Sequence, residues 1–436
     1  MSGIKMSRRG FLRAATTLAV AATLPTGCKS GSTPTVVSQV GDYDLSKPEQ
    51  VKKALEAEGA TVTWTTWGFE GLSSQVIPAR FALYTQKKYG VAVNLIKDNT
   101  SIGKAMTELP VAGKHISSLG IDVVDNEEEY YPRFMALDWG EPIDQEQYKP
   151  LLENVLKVED AYIQHDEPKA NDGDIYGVMY QGFEWLQGLL RKDKVDVSNY
   201  TDWTDLARAE MKGKGVLYPF NDSRCHFVFM GILNSLIKQG IVKGELWSEE
   251  AWEAGIQWWK DNMDDKVYKW GDIGNDPTLR TLLQSGEVWW AGTWGVYTRA
   301  ILALDWNQKD DVIYPFYPKS GIAANRETCK IVKGCQHPVA ARILTDWTVS
   351  SEFQHGGWYK PTKDAEAVNT WNITEAQYLA VYCGGVMPEH RELMPDWAQK
   401  YYPSDPGSLI LPVDWEWWSS RTEWISKAYD RIVKGI

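Results

Sequence analysis

Cys28 is the residue whose position most directly suggests a chemical modification. It follows Gly27 at the end of an apolar run from Ala14 to Leu24. A cysteine directly after a small residue at the end of such a run can be lipidated and become the first residue of the mature chain. Pro25 stands where such signals usually carry an aliphatic residue, so simple cleavage and release is the alternative.

A positively charged start precedes that apolar run. Ser7-Arg8-Arg9-Gly10-Phe11-Leu12-Arg13 resembles the twin-arginine (Tat) class of export signals. The apolar run is much shorter than the roughly 20 residues that cross a bilayer, which favours a cleaved export peptide over a membrane helix. The sequence therefore predicts a signal peptide at 1–28 and a Ser/Thr/Gly-rich tether at 29–59.

The remaining thiols and imidazoles do not form a recognisable metal or redox motif. Cys225, Cys329, Cys335 and Cys383 include no CxxC pair, and the six histidines include no HExxH. Cys329 and Cys335 are close enough in sequence to form a disulfide in an oxidising compartment, or both are buried free thiols. No cofactor is expected from these residues.

Aromatic residues are abundant, with 22 Trp and 21 Tyr in 436 residues. Most of these rings are expected in apolar cores, as for Trp252, Trp258 and Trp259 on one face of a helix. Such rings also bind the C–H groups of sugars and the charge of cations. No G-x-S-x-G, P-loop or dinucleotide motif accompanies them.

Charge and length restrict the kind of partner. The net charge of −12 becomes −16 without residues 1–28, because that segment carries four positive charges and no acid. Such a surface argues against nucleic acids and anionic membranes as partners. The mature chain is long enough for two sizeable cores.

Strands and helices alternate from residue 61 onward. The pattern predicts strands at Thr61–Trp67, Val91–Ile96 and Ile121–Asp125 and a helix at Ser73–Tyr89. Asn99-Thr100-Ser101 is expected to cap the next helix, which ends near Leu109. This order favours an α/β layer with a mainly parallel sheet. Later strands are predicted at Gly215–Pro219, Gly286–Ala291, Val312–Phe316 and Thr328–Val332, and later helices at Pro277–Leu283 and Pro338–Ser350.

Four landmarks then resemble one family in its order along the chain. They are Trp64–Gly68; Asp174–Gly182 with Trp203–Leu206 and Lys212–Gly215; Leu283–Trp290 with Lys333–Ala341; and Val413–Arg421 with Trp424. From about residue 60 the chain resembles the extracellular solute-binding proteins of ABC importers, particularly the spermidine/putrescine-binding branch. Asp174 and Met179 replace a Lys and a Pro common in that branch.

The resemblance implies an α/β, two-lobed periplasmic-binding-protein fold of type II, with the ligand in a cleft between lobes. Lobe 1 would comprise 60–179 plus 293–350, and lobe 2 would comprise 180–292 plus 351–436, with crossings near Tyr180, Gly292 and Ser350. A hinge motion would close the lobes on the ligand. The chain would act as a monomer with permease and ATPase subunits, in the periplasm or at the cell surface.

Carried onto this sequence, the resemblance implies a set of cleft residues: Trp67, Glu70, Tyr180, Glu184, Asp222, Arg224, Trp290, Thr293, Trp294, Asn325 and Glu327. An alkylammonium ligand needs aromatic faces for its methylenes and buried carboxylates for its ends.

Several ligand classes and one enzymatic reading fit these residues. The expected ligand is first a polyamine or related amine and second a sugar. An organic anion is the third class, because Arg224 and Arg326 suit carboxylates or sulfonates. The alternative from another class of function is an exported enzyme, in which paired carboxylates beside tryptophans would hydrolyse glycosides. Turnover of a labelled oligosaccharide would favour the enzyme, and saturable binding without turnover the receptor.

Overall fold

The computed structural model describes residues 43–66, 73–143, 145–158, 176–181, 186–220, 222–267, 276–294, 305–323, 327–354 and 407–436. The signal peptide, Cys28 and nearly all of the tether lie outside these residues. None of the described helices is long and apolar enough to span a membrane.

Two β-sheets and a short two-stranded pairing organise the described chain. The strands are β1 Thr61–Thr65, β2 Asn94–Asp98, β3 Val123–Glu127, β4 Gly140–Glu141, β5 Val178–Gln181, β6 Leu186–Arg191, β7 Gly215–Val216, β8 Trp290–Trp294, β9 Ile313–Phe316, β10 Ile322–Ala323, β11 Glu327–Val332 and β12 Ile410–Leu411.

Helices of very different length cover these sheets. They are α1 Pro48–Ala57, α2 Ser73–Tyr89, α3 Ile102–Val111, α4 Tyr131–Ala136, α5 Glu153–Val158, α6 Ser223–Lys238, α7 Glu249–Asn262, α8 Asp276–Ser285, α9 Asp305–Asp310, α10 Pro338–Thr348, α11 Ser351–Gln354, α12 Trp415–Ser419 and α13 Thr422–Tyr429.

Local signals explain why several helices begin where they do. Ser101, the last of the three residues predicted to cap this helix, caps α3 and accepts a hydrogen bond from the Lys104 amide. Asp222 caps α6 and Ser248 caps α7. These side-chain oxygens pair amide groups that have no partner inside the helix. The helix predicted at Ser73–Tyr89 is confirmed with the same bounds.

The first sheet has the order β2-β1-β3-β11-β4, and β5 also pairs with β11. The β1–β2 and β1–β3 pairs are parallel, as the strand–helix alternation predicted. β11 runs antiparallel to β3, β4 and β5, so the sheet is mixed. The expectation of a mainly parallel sheet holds only for β1, β2 and β3. The chain forms β11 after it has passed through the second sheet, and this strand enters the first sheet in the opposite direction.

The second sheet has the order β7-β8-β6-β9. β7 and β8 are parallel, and β6 is antiparallel to both β8 and β9. Its core is rich in aromatic side chains from α6, α7 and the C-terminal helices, including buried Trp252, Trp259, Trp415 and Trp418. Trp415 and Trp418 thus pack the C-terminal helices onto this core.

The two sheets have separate hydrophobic cores, and the chain moves between them at places that differ partly from the prediction. The first move lies between Gln181 and Leu186. The move expected near Gly292 is wrong, because β8 continues through that residue inside the second sheet and β9 follows in the same sheet. The return occurs between Ala323, in the second core, and Glu327, at the start of β11.

The end of the first core is also later than predicted. Phe353 is 2% exposed and packs in the first core against Trp347, so this core extends past Ser350. The next described segment, from Gly407 on, packs in the second core. The returning first-core segment therefore begins with β11 at Glu327 and extends to at least Phe353, instead of spanning 293–350.

Candidate functional site

The carboxyl ends of β1, β2 and β3 meet at one edge of the first sheet. Their parallel register places Thr65 beside both Asp98 and Val124. In open α/β sheets ligands bind outside the carboxyl ends of parallel strands. We therefore refer to the ends of these strands, together with the adjoining end of β5 and start of β11, as the first edge.

Hydroxyl groups hold two carboxylates at the first edge. Thr65 Oγ1 donates to Asp98 Oδ1 at 3.0 Å, and Thr66 Oγ1 donates to Asp125 Oδ2 at 2.6 Å. The Thr100 amide also donates to Asp98, at 2.9 Å. Asp125 is completely buried. Buried carboxylates need such donors, since desolvation without them is costly.

Two glutamates occupy directly opposed backbone positions at this edge. Glu127 ends β3, Glu327 begins β11, and the antiparallel register pairs one with the other. On its other side Glu327 pairs with Gln181, the last residue of β5. The predicted site residue Glu327 thus lies between two strand ends at the first edge.

A β-bulge lies beside this pair. β11 pairs Glu327 with Gln181 and then Thr328 with Met179, so Tyr180 is an extra residue on β5. Bulges occur often next to functional sites, where they change the direction of a side chain. The predicted site residue Tyr180 therefore sits at a local irregularity of the first edge.

The second sheet has a corresponding edge where β6 begins. Leu186 pairs with Trp294 and Gln187 with Thr293, so the predicted residues Thr293 and Trp294 end β8 at this edge. β7 is parallel to β8, and α6 begins shortly after it. We call the end of β8, the start of β6 and the first turn of α6 the second edge.

Asp222 and Arg224 form a tight ion pair at the start of α6. Arg224 Nε donates to Asp222 Oδ1 at 2.8 Å, and Nη2 donates to Oδ2 at 2.6 Å. The guanidinium also lies over the Tyr218 ring, 3.7 Å from its centroid. Burial raises the pKa of Asp222, but hydrogen bonds from Arg224 and its charge outweigh burial and leave that pKa below its usual value.

Chain length and packing keep the two edges close together. Five residue steps connect Gln181 to Leu186, which limits their separation to about 18 Å. In addition, α12 contacts the 3₁₀ turn Glu128–Tyr130 that follows β3. Phe227 of α6 packs in turn on α12 through Trp415. The resemblance predicts that the ligand binds between these two edges.

Trp290 was predicted to face the ligand, and the structure corrects this prediction. It is 1% exposed and lies in the core of the second sheet. Its indole packs on Gly188 and Gly215, where an added Cβ would lie 2.7 Å and 2.5 Å from the ring. Trp290 therefore fills the core beneath the second edge.

Other predicted positions have no side-chain description. Trp67, Glu70, Glu184 and Asn325, together with Arg326 and Cys28, lie outside the described residues. Tyr180, Thr293, Trp294 and Glu327 are placed by their backbone alone. Their roles in ligand binding stay predictions.

The two cysteines considered for a disulfide do not form one. Cys329 is buried in the first core, and Cys335 is partly buried against it. Within the described ranges, no group of three His, Cys, Asp or Glu residues has the geometry to hold a metal ion.

Sequence reasoning missed several residues of the first edge. Asp98, Asp125 and Glu127 were not in the predicted set, although Asp125-Asn126-Glu127-Glu128-Glu129 is an acidic run that begins at the last residue of a predicted strand. The position of that run at a strand end was the available signal, because strand ends of a parallel sheet converge.

Comparison with known protein families gives one match over most of the chain. The family described as bacterial extracellular solute-binding protein matches residues 79–369. No curated protein sequence is significantly similar to the chain.

Solved structures share the fold at low sequence identity. An ABC transporter protein from Clostridium perfringens is 15% identical, with a TM-score of 0.57, over 85% of this chain and 99% of that one. The spermidine/putrescine substrate-binding protein PotD from Streptococcus pneumoniae is 14% identical, with a TM-score of 0.56, over 86% and 99%. The Atu4243-GABA receptor is 15% identical, with a TM-score of 0.55, over 86% and 97%.

Proposed function

The chain belongs to the family of bacterial extracellular solute-binding proteins, and we propose that it captures a polyamine or related amine for an ABC importer. It has the mixed α/β fold of periplasmic binding proteins. The ligand would bind between the two edges, and the closed form would present it to permease and ATPase subunits. This is binding without bond cleavage, in keeping with a family of transport receptors.

The observation that carries the proposal is the convergence of acidic positions on the first edge. Glu127 and Glu327 are direct cross-strand partners, and like charges at such positions destabilise a sheet. A bound ammonium would remove that repulsion. Asp98 at the end of β2 and Asp125 within β3 add two carboxylates, one on either side of β1.

The other predicted residues suit the hydrocarbon part of such a ligand. Tyr180 lies at the bulge of the first edge, and Trp294 ends β8 at the second edge. Aromatic faces attract both methylene groups and cations. Two of the structurally similar proteins are named for spermidine/putrescine and for GABA, which are all amines.

A ligand screen tests the proposal. The chain from residue 29 onward contains every described residue, and its melting temperature would be measured with amines, sugars, sulfonates and carboxylates. A ligand at one hundred times its dissociation constant stabilises the folded state by about 2.7 kcal/mol. We expect stabilisation by amines, lost in Glu327→Gln and Glu127→Gln.

Glu108→Gln is the matched control, because Glu108 is an exposed glutamate on α3 paired with Lys104. If sugars raise the melting temperature and no amine does, the amine proposal is wrong and the ligand is a sugar. Turnover of a labelled oligosaccharide would instead support the exported enzyme.

We further propose that the chain is exported by the Tat route and anchored through Cys28. Arg8 and Arg9 supply the paired arginines, and the segment up to residue 59 supplies the tether. Arg8→Lys with Arg9→Lys should abolish export. Cys28→Ala should abolish incorporation of a radiolabelled fatty acid and release the protein from membranes, while unchanged membrane association would refute the anchor.

A further inference from the structure

We propose that Lys330 is a fixed positive charge beneath the first edge, and that it restricts the ligand to amines with few ammonium groups. This inference rests on the proposed function, because it concerns the carboxylates of the same edge that would bind the amine. The ligand class that it favours is a monoamine or a diamine, as opposed to a polyamine with three or more charges.

Lys330 is a completely buried lysine, with 0% of its surface exposed. It is the fourth residue of β11, the strand that begins with Glu327 at the first edge. Lysine is almost never fully buried unless it is paired, because an isolated buried charge is very costly. Its burial in this strand therefore places a permanent ammonium group inside the acidic region of the first sheet.

The ammonium group of Lys330 is directed toward the first edge. Its Nζ donates a hydrogen bond to Thr328 Oγ1, one residue from Glu327 at the start of the strand. Nζ also lies over the ring of Tyr131, 5.4 Å from the centroid. Tyr131 directly follows the 3₁₀ turn Glu128–Tyr130, which continues from β3 at the same edge. The charge thus lies closer to the strand ends than the backbone of Lys330 does.

The carboxylates proposed to bind the amine lie on the strands around this charge. In the antiparallel register of β11 and β3, Lys330 pairs with Val124, the neighbour of the completely buried Asp125. The opposed pair Glu127 and Glu327 lies three residues nearer the start of β11. Charges inside a protein interact over several ångströms with little screening. Lys330 therefore offsets part of the negative charge of the first edge before a ligand arrives.

A fixed ammonium group changes which amine binds best. The first ammonium group of a ligand is attracted by the carboxylates, but each further group is also repelled by Lys330. Because Lys330 is buried, its side chain cannot turn into solvent to reduce this repulsion. Affinity should therefore stop rising with the number of ammonium groups, whereas it would keep rising in a purely acidic cleft.

The test is a series of amines that differ in charge. Calorimetry would measure binding of butylamine, 1,4-diaminobutane and spermidine to the chain from residue 29 onward. These ligands carry one, two and three amino groups, which are charged at pH 7 like that of lysine. We expect spermidine to bind no tighter than 1,4-diaminobutane. Spermidine that binds the wild-type chain about 10-fold tighter or more would overturn the inference without any variant.

Substitutions assign this limit to Lys330. Lys330→Met keeps an unbranched apolar side chain and removes the charge, so the ratio of spermidine affinity to butylamine affinity should rise by about 10-fold. Lys330→Gln is a second neutral variant and should raise the ratio in the same direction. Lys104→Met is the matched control, because Lys104 is exposed on α3 and solvent screens its charge. The control should keep the wild-type ratio.

The outcomes distinguish this inference from the proposed function. An unchanged ratio in both Lys330 variants, with amines still bound, would overturn the role of Lys330 and keep the amine receptor. Equal loss of affinity for all three amines in these variants would show that the lysine only supports the fold, which also contradicts the inference. Binding of none of the amines by the wild-type chain would overturn the amine receptor together with it.

Discussion

At the scale of single residues, the buried ionisable groups have the clearest consequences. His226 lies at the first turn of α6, 2% exposed, among the rings of Phe220, Trp252 and Trp418. Neither ring nitrogen makes a hydrogen bond of normal geometry within the described chain. Burial lowers the pKa of His226 from 6.5 to about 4, despite a weak opposing effect of the Phe220 backbone.

This histidine should make the second core sensitive to acid. The folded-state pKa lies below the unfolded value, so the stability contributed by neutral His226 is full above pH 6.5 and is lost as the pH falls through 4. A difference of this size corresponds to about 3 kcal/mol. We expect His226→Phe to remove this loss, as measured by denaturant unfolding at pH 7, 5.5 and 4. Equal pH profiles for both chains would contradict the assignment.

Two substitutions should separate the roles of Asp222 as a helix cap and as an ion-pair partner. It caps α6 by accepting from the Arg224 amide and also pairs with the Arg224 side chain. Asp222→Ala loses both roles, and loss of a cap alone costs about 1 kcal/mol. Asp222→Asn keeps an acceptor for the cap and should lose less in the free energy of unfolding. Equal losses for the two variants would show that the cap contributes nothing.

At the scale of elements, the start of α10 depends on a buried carboxylate from another segment. Glu58 follows α1, is 6% exposed, and accepts from the amides of Val339 and Ala340 at 2.9 and 3.1 Å. Burial raises the pKa of Glu58 to about 7, although these hydrogen bonds and the charge of His337 oppose the shift. Asp122 nearby accepts hydrogen bonds from the Gln336 and His337 amides. Asp122 and Glu58 together therefore bind the backbone amides at and just before the start of α10.

This arrangement should give a pH dependence opposite to that of His226. Since the folded-state pKa of Glu58 lies above the unfolded value of 4.5, its contribution is full below pH 4.5 and is lost as the pH rises through 7. Relative to Glu58→Gln, the wild-type chain should lose up to about 3 kcal/mol between pH 4.5 and 8. Urea unfolding at three pH values measures this, and a difference that is constant with pH would refute it.

Glycines let the elements of the second core approach one another. A Cβ at Gly231 would lie 2.3 Å from Trp203 Nε1, and one at Gly188 would lie 2.7 Å from Trp290 Nε1. Overfilling a packed core costs about 1–3 kcal/mol, so we expect Gly231→Ala and Gly188→Ala to lower the melting temperature by several degrees. Gly103→Ala is the milder comparison, because its Cβ would lie 3.2 Å from the partly exposed Tyr130 ring. A larger loss at Gly103 would contradict this packing.

At the scale of the whole molecule, the proposed ligand site lies between the edges of two sheets that have separate cores. The chain connects the cores at Gln181–Leu186 and Ala323–Glu327, and α12 contacts the turn Glu128–Tyr130. Binding between the edges would therefore stabilise both cores together, because each edge belongs to a different sheet.

Hydrogen exchange should reveal this coupling. In the presence of a saturating ligand we expect slower amide exchange both in Glu128–Tyr130 and in α12. The 3₁₀ turn Ile116–Leu119, which precedes the amino end of β3, should change little. Protection confined to one of the two sheets would contradict binding between the edges.

The sequence by itself determined the local elements and the family. The cap at Ser101, the helix at Ser73–Tyr89 and the order of strands follow from local sequence patterns, and the landmarks lie in order along the chain. Tertiary structure alone decided the pairing of Glu127 with Glu327, the burial of Trp290 and the late return to the first sheet near Glu327. Those features join residues distant in sequence, and composition cannot distinguish a tryptophan in a core from one at a binding edge.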